Sequence, residues 1–220
     1  MSEIITTYKL PFSTKPTPMK REEFYRKQKR ASNKTGKPTN ACETIQILLF
    51  TPDKELILQK RSLEKKHNPG LIDKAIGGHV TFGFTPTYTT MSETLQELNV
   101  PSFVLDSKED FRKTFHLLKN YLDRSALIQF VESDIIVFEK IIQKKIVKIA
   151  NKSHFYLGFY NGSIKPIDKE SSGVLYYKWN ALQKEMKVSP ELFTYDLKYF
   201  LKRYRKKIES FLKIVDEKNK

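Results

Sequence analysis

Residues 77–100 read GGHVTFGFTPTYTTMSETLQELNV, and our prediction of the fold starts from this segment. The two glycines end a short apolar strand over residues 71–76, and residues 81–90 are predicted to be a loop. Thr90 stands three positions before Glu93, which is the spacing of a capping box. The sequence therefore predicts a helix that begins near Met91 and ends at Leu98.

The predicted helix carries two carboxylates, Glu93 and Glu97, one turn apart, with Gln96 beside them. At about 100° per residue these glutamates share one face of the helix, which we expect to be exposed. We expect the opposite, core-facing stripe to be buried, and it consists of Met91, Leu95 and Leu98. A helix of this kind can hold a divalent cation against a diphosphate, because magnesium prefers hard oxygen ligands.

The flanking segments predict further strands and helices. Residues 45–50 and 55–60 form a hairpin around the turn Thr51-Pro52-Asp53-Lys54. Residues 108–149 are predicted to be mostly helical, since Phe111, Phe115, Leu118, Leu122, Ile135, Phe138, Ile141 and Ile142 recur at helical spacing. Strands follow at residues 155–160 and 174–179. A long amphipathic helix ends the chain, with a stripe of Leu197, Phe200, Leu201, Tyr204, Ile208, Phe211, Leu212 and Val215.

The composition is that of a globular intracellular domain. Hydrophobic residues make up 39% of the 220 residues, which is enough for a core and argues against disorder. The longest apolar runs are too short to span a bilayer, and the N-terminus lacks the pattern of a secretion signal. The single cysteine, Cys42, excludes an internal disulfide and fits a reducing, cytoplasmic compartment.

The formal net charge of +15 is concentrated near the two ends of the chain. Residues 15–37 contain nine Lys or Arg and two Glu, and residues 196–220 contain nine Lys or Arg and four acidic residues. Residues 11–40 also contain four prolines, so we predict an extended basic arm with a short helix near residues 20–31. Such charge attracts nucleotides, RNA or acidic lipid, although a solvated lysine-rich surface would have the same composition.

The segment that begins with Gly78 resembles the Nudix superfamily, whose box is G-x5-E-x7-R-E-U-x-E-E-x-G-U, with U an aliphatic residue. With its first glycine on Gly78, the box aligns without a gap. The positions that match are Gly78, Glu93, Glu97 and Val100. The positions that depart from the box are Phe84, Ser92, Thr94, Gln96 and Asn99.

The flanks of the box extend the resemblance. Residues 56–61 (LILQKR), Pro69-Gly70-Leu71, Asp73 and residues 77–80 (GGHV) follow in the order typical of Nudix proteins. They are most similar to the branch that contains isopentenyl diphosphate isomerase and its hydrolase relatives. The same branch is suggested further on by residues 155–160, Glu170, Trp179 and Phe193-Thr194.

The resemblance implies an α/β fold, a Nudix-type α/β/α sandwich with a mixed central sheet, a helical insertion and a long C-terminal helix. The predicted organisation is a basic N-terminal arm over residues 1–40 and a Nudix-like domain over residues 41–205. The helical insertion within that domain covers residues 101–152. The basic end of the C-terminal helix covers residues 206–220.

The resemblance also implies a chemistry, hydrolysis of a diphosphate linked to another moiety such as a nucleotide. Glu93 and Glu97 would be catalytic. Mg²⁺ or Mn²⁺ would be held weakly by Glu93, Glu97, Gln96 and Glu170. The diphosphate would be bound by Lys60, Arg61, Lys66 and His79. We expect the activity to be weak, because Phe84, Ser92 and Gln96 replace charged residues of the box.

Three alternatives remain open. The first is a non-catalytic Nudix-fold module that binds a nucleotide or RNA through its basic ends, with Glu93 and Glu97 acting as ordinary helix residues. The second is an isomerase, although that branch's catalytic cysteine falls on Gly77 and its metal histidines fall on Cys42 and His79. The third interpretation makes Cys42 a small core residue and His79 a partner of nearby backbone. The sequence does not determine the substrate or the oligomeric state.

Overall fold

The computed structural model describes residues 3–11, 13–65, 68–142, 145–164 and 171–217. Its strands are β1 (Ile4–Lys9), β2 (Thr17–Lys20), β3 (Asn40–Phe50), β4 (Glu55–Arg61), β5 (Ile72–Lys74), β6 (Ile76–His79), β7 (Ser102–Leu105), β8 (Ala126–Ile142), β9 (Lys145–Phe159) and β10 (Ser171–Lys178). Its α-helices are α1 (Arg21–Thr35), α2 (Pro86–Leu98), α3 (Lys108–Leu118), α4 (Trp179–Val188), α5 (Tyr195–Arg203) and α6 (Arg205–Leu212). No described helix combines the length and the apolar character that crossing a membrane requires.

The chain divides into two compact units. Unit 1 consists of Met1–Gln46, Gly77–Thr90 and Glu132–Phe155. Unit 2 consists of Ile47–Ile76, Met91–Val131 and Tyr156–Lys220. The predicted boundaries at residues 40 and 205 remain a prediction.

Unit 2 contains part of a mixed sheet, as predicted. Its strands follow the order β10-β4-β3-β9-β8-β7, in which β4 is antiparallel to β3 and β10, while β7 and β8 are parallel. The predicted hairpin is present, because Leu49 pairs with Ile57 across β3 and β4. The mixed α/β class is therefore confirmed.

The core of unit 2 is a cluster of phenylalanine rings. Phe159 in β9 stacks on Phe211 in α6, with ring centroids 4.5 Å apart, and Phe111 and Phe115 of α3 also contact Phe159. Each such pair adds about 0.5–1.5 kcal/mol beyond simple burial of apolar area. The cluster thus fixes α3 and α6 against the sheet.

Unit 1 shows that the predicted extended arm is wrong. β1 pairs with β2 and β3, and α1 follows directly, so the predicted helix near residues 20–31 is confirmed and is longer than expected. The N-terminal segment folds because its apolar side chains are buried in a hydrophobic cluster. The buried cluster comprises Ile5, Phe24, Cys42, Val147 and Ile149.

The predicted helical insertion is correct over α3 and wrong beyond it. Residues 126–142 and 145–159 are the long strands β8 and β9. Burial in β8 alternates, since Ile136 and Phe138 are buried while Val137 is 48% exposed. The apolar spacing that indicated a helix also fits the two-residue period of a strand. Pairing with neighbouring strands favours the strand over the helix.

The predicted C-terminal helix is present as two successive helices, α5 and α6, which are separated at Tyr204. The predicted apolar stripe faces inward in both helices, and Leu197, Phe200, Leu201, Tyr204, Ile208, Phe211 and Leu212 are all buried. The last predicted member, Val215, lies in a 3-10 turn after α6 and is half-buried.

Candidate functional site

Helix α2 begins earlier than the sequence predicted. The Thr85 hydroxyl accepts a hydrogen bond from the Tyr88 backbone N–H at 3.1 Å, and Pro86 occupies the first turn. Thr85 is therefore the N-cap residue, and the predicted capping box is wrong because Thr90 lies buried within the helix. A threonine followed by proline is a recognised start signal, and it was available in the sequence.

The two glutamates of α2 flank its buried side. Thr90, Thr94 and Leu98 form the buried stripe. Glu93 and Glu97 are half-buried beside it, and the Oε2 atom of Glu97 is fully buried. Gln96, by contrast, is exposed.

The predicted burial of Met91 and Leu95 is wrong, since these side chains are 44% and 51% exposed, whereas the predicted burial of Leu98 is correct. Hydrophobicity alone assigned the wrong face to the core. The aliphatic positions of the Nudix box are a better guide, because Thr94 and Val100, which occupy them, are 0% and 1% exposed.

The last turn of α2 is followed by a residue in the left-handed backbone conformation. Asn99 stands at the position of the late glycine and has a φ of 57°, in the left-handed region. Its N–H donates to the Leu95 carbonyl at 3.0 Å, which closes the helix. Asparagine tolerates this conformation better than most residues, so the departure from glycine preserves the turn.

An aromatic pair replaces the first glutamate of the box. Phe84 stacks on Tyr88 with ring centroids 4.7 Å apart and an interplanar angle of 14°. The two rings are 49% and 54% exposed. They offer a planar apolar surface in place of a carboxylate.

A buried ionic network in unit 2 holds Arg61. The Asp73 carboxylate lies 3.2 Å from Arg61 Nη1 and 3.4 Å from Lys74 Nζ. It also accepts hydrogen bonds from the Lys74 backbone N–H at 2.9 Å and from the Thr194 hydroxyl at 2.8 Å. Asp73 and Thr194, both noted in the family resemblance, are thus joined directly.

The network determines the charge state of Asp73. Burial alone would raise its pKa, but the positive charges of Lys74 and Arg61 and the hydrogen bond from Thr194 outweigh burial and lower the pKa below its ordinary value. Asp73 is therefore ionised and keeps the guanidinium of Arg61 oriented.

The remaining predicted site residues have different surroundings. Lys60 is exposed, and its backbone carbonyl accepts hydrogen bonds from the hydroxyls of Ser171 and Ser172. His79 Nε2 lies 3.1 Å from the Tyr25 hydroxyl. Lys66 and Glu170 lie outside the described residues, as does His67.

The surroundings of Cys42 support its interpretation as a core residue. The side chain is 0% exposed within the apolar cluster of unit 1, and its thiol donates to Asn151 Oδ1 at 3.2 Å. Together with the contact between His79 and Tyr25, this argues against a metal shared by Cys42 and His79.

Sequence reasoning missed a second buried ionic cluster, centred on Glu43 in unit 1. Its Oε1 lies 2.8 Å from His154 Nε2 and 3.1 Å from Lys152 Nζ, and its Oε2 accepts a hydrogen bond from the Tyr8 hydroxyl at 3.0 Å. Burial raises the pKa of Glu43, but the hydrogen bonds from His154 and Lys152 lower it by more. A single glutamate inside the apolar run of β3 was the available signal.

Within the described ranges, no group of three or more His, Cys, Asp or Glu residues could hold a metal ion. A divalent cation at α2 would depend on Glu93 and Glu97, supplemented by ligand phosphates and water. Magnesium is commonly bound in this way, through one or two carboxylates and substrate phosphates. The donor set therefore fits a weakly held cation.

The fold is similar to several solved structures. DR0079 from Deinococcus radiodurans has a TM-score of 0.53 and 17% identity, over 74% of this chain and 82% of that one. The MutT protein from Methanosarcina mazei Go1 has a TM-score of 0.51 and 14% identity, over 76% and 94% of the two chains.

A third similar structure is the bifunctional NMN adenylyltransferase/ADP ribose pyrophosphatase from Francisella tularensis, complexed with AMP and Mn ion. Its TM-score is 0.50 and its identity 10%, over 85% of this chain and 47% of that one. At these identities the likeness concerns the fold. No family model matches the sequence, and no curated protein matches it significantly.

Proposed function

We propose that this chain is a Nudix-type hydrolase that cleaves a phosphoanhydride bond in a diphosphate linked to another moiety, with a nucleotide-type substrate. The similarity of its fold to the solved structures described above supports the proposal. The observation that carries the proposal is the position of Glu93 and Glu97 on α2. They lie one turn apart at glutamate positions of the box, on a helix that is followed by a left-handed residue, Asn99.

The reaction is attack of water on phosphorus, with cleavage of the bond between that phosphorus and the bridging oxygen. A bound Mg²⁺ or Mn²⁺ would supply charge screening and would acidify water. Glu93 and Glu97 would hold the cation and orient the water, with Gln96 and Glu170 as weaker ligands. Arg61, oriented by Asp73, neutralises phosphate together with Lys60 and Lys66.

We expect hydrolysis to be slow. Ser92 cannot form the ion pair by which the family's arginine orients the catalytic glutamate. Phe84 contributes no oxygen, and Gln96 contributes a neutral carbonyl where the family has a carboxylate. A turnover number below about 1 per second is the expected result.

ADP-ribose is the first substrate to test, because a similar fold is that of an ADP ribose pyrophosphatase. AMP release should require Mg²⁺ or Mn²⁺ and should fall at least tenfold in Glu97→Gln and Glu93→Gln. Glu64→Gln is the matched control, since Glu64 is exposed and stands outside α2. Hydrolysis that is equal in all four proteins would overturn the assignment of these glutamates. Turnover at or above about 1 per second would refute the argument from the altered box.

The alternative is a non-catalytic module that binds a nucleotide or RNA, favoured by Phe84, Ser92 and Gln96 together with the charge of +15. It predicts binding without product release, and an affinity that Glu97→Gln leaves unchanged or increases. The isomerase is disfavoured, because Gly77 replaces its cysteine and Cys42 is buried in the core. A cytoplasmic location remains a prediction.

A further inference from the structure

One flank of α2 carries apolar side chains that face solvent. Tyr88, Met91 and Leu95 follow one another at spacings of three and four residues, so they lie along one side of the helix. Phe84, just before the helix, stacks on Tyr88 and extends this row. The four residues, which we call the α2 stripe, are between 44% and 54% exposed. A contiguous exposed row of large apolar side chains is typical of a binding surface.

The α2 stripe and the glutamates lie on opposite flanks of the helix. At about 100° per residue, Met91 and Leu95 lie to one side of the buried Thr94, whereas Glu93 and Glu97 lie to the other. A partner on the α2 stripe therefore leaves the two carboxylates accessible. An inference about the stripe does not rest on the hydrolytic activity proposed above.

The size of the α2 stripe suits the centre of a protein–protein interface. Its four side chains are each about half exposed and present on the order of 400 Å² of apolar surface, as much as the largest patch of a typical monomer. A standard interface covers about 800 Å² on each partner. The stripe can therefore supply the apolar core of an interface, with a polar rim contributed by the residues around it.

The charge of the segment around the α2 stripe favours a protein partner over nucleic acid or an anionic membrane. Residues 75–107 contain no Lys or Arg, although the chain has 40 among its 220 residues, and they include three carboxylates, Glu93, Glu97 and Asp106. Polyanions bind basic surfaces, which this segment does not offer. Two copies of a chain with a net charge of +15 repel each other, and a segment without basic residues is where they meet with least repulsion.

The α2 stripe is also complementary to itself. In an antiparallel pair of helices, a two-fold axis near Met91 places Tyr88 of one copy against Leu95 of the other and brings the two Met91 side chains together. Methionine adapts its shape readily to such a contact. We propose that this chain forms a symmetric homodimer in which the α2 stripes of two copies pack against each other.

The test is sedimentation velocity of the full chain from low micromolar to several hundred micromolar concentration. The wild type should approach twice the chain mass of 25.8 kDa as the concentration rises. Met91→Lys/Leu95→Lys should weaken association at least tenfold, because it places charges in an apolar contact. The matched control is Leu117→Lys/Val188→Lys, which adds the same charge to α3 and α4 at residues that are 77% and 81% exposed. The control should change the dissociation constant of the dimer less than threefold.

A cysteine near the two-fold axis tests the symmetric arrangement. The native Cys42 is 0% exposed, so Met91→Cys adds a thiol that can be distinguished from it by accessibility. Oxidation with copper phenanthroline should convert most of this variant into a disulfide-linked dimer. Leu117→Cys, at an exposed residue outside the α2 stripe, should remain largely monomeric under the same conditions.

Four outcomes would overturn the proposal. The first is a wild type that is monomeric at every concentration, and the second is equal weakening by the two double variants, which indicates a general charge effect. The third is a dimer that Met91→Cys does not cross-link, which places the contact elsewhere. The fourth is a monomer that sediments with phosphatidylcholine vesicles through Met91 and Leu95, which assigns the α2 stripe to lipid. Hydrolysis of ADP-ribose is measured separately, so failure of the dimer and failure of the proposed enzyme are distinguishable.

Discussion

Asp73 is a single residue whose side chain should contribute strongly to stability. It is buried with two cations and two hydrogen-bond donors, so its removal leaves the charges of Arg61 and Lys74 poorly compensated. We expect Asp73→Ala to lower the free energy of unfolding by about 3–5 kcal/mol. Urea denaturation at neutral pH measures this change.

The matched control for Asp73 is Asp216→Ala. Asp216 lies 2.7 Å from Lys54, but its side chain is 62% exposed, and exposed pairs contribute about 1 kcal/mol or less. Equal destabilisation by the two substitutions would contradict the role given to the buried network.

The buried carboxylates of the two ionic clusters, Asp73 and Glu43, predict how stability depends on pH. The pKa of Asp73 is lowered in the folded protein relative to its ordinary value of 3.8, and that of Glu43 relative to 4.5. A carboxylate with a lowered pKa stabilises the fold fully above its ordinary pKa, and this stabilisation is lost as the pH falls through the folded value. Unfolding free energy should therefore decline below about pH 4.5.

Asp73→Asn and Glu43→Gln should each flatten this decline, because the titrating carboxylate is absent. The measurement is the urea midpoint at pH 7 and at pH 3. Glu55→Gln, at a half-buried residue of β4, serves as the reference substitution. A wild-type midpoint that does not change between these pH values would contradict the lowered pKa values.

At the scale of the element, the left-handed turn at the end of α2 can be tested separately from chemistry. Asn99→Ala should destabilise the protein by about 1 kcal/mol, because alanine adopts a positive φ at a cost. Asn99→Gly should be neutral or slightly stabilising, since glycine has no such cost. Thermal unfolding measures both. Equal effects of Ala and Gly would mean that the conformation of residue 99 is not restrained.

The carboxylate that the box has at position 96 of α2 can also be restored by substitution. Gln96→Glu is nearly isosteric at an exposed position, and it places a third carboxylate on the turn that holds Glu93 and Glu97. Without metal, repulsion should lower stability by a few tenths of a kcal/mol, roughly the effect of like charges one turn apart. Magnesium should restore more than this loss, because a ligand that binds the folded state stabilises it. Identical melting shifts in wild type and variant across a magnesium titration would contradict a metal site at α2.

The elements also show which parts of the structure the sequence could predict. The box located the two glutamates of α2, and the sequence predicted that this helix ends at Leu98, because these features depend on local spacing. It could not predict that Met91 and Leu95 face outward, since that depends on what packs against the opposite side of α2. The apolar run around Phe138 fits a helix or a strand equally well, and the neighbouring strands decide. The hydrogen bond between Asp73 and Thr194 joins segments that are distant in the sequence, so no local pattern could reveal it.

For the whole molecule, the net charge of +15 gives the RNA-binding alternative a measurable consequence. A protein that neutralises about five phosphates of single-stranded RNA loses affinity with a slope near −3.5 in log salt. Arg26→Gln/Arg30→Gln removes two exposed cations of α1 and should reduce the magnitude of that slope by about 1.4. RNA affinity that does not vary with salt would exclude binding through the basic ends.

The burial of the single cysteine gives the protein an internal reporter of its own opening. The Cys42 thiol is 0% exposed and hydrogen-bonded to Asn151, so a thiol-specific dye can label it only after part of unit 1 opens. The labelling rate therefore measures the free energy of that opening, provided that closing is faster than the dye reaction. Substitutions in the Glu43 cluster should accelerate labelling, whereas substitutions that leave unit 1 intact should not. Comparing the two sets of variants distinguishes local from global destabilisation, and no additional cysteine has to be introduced.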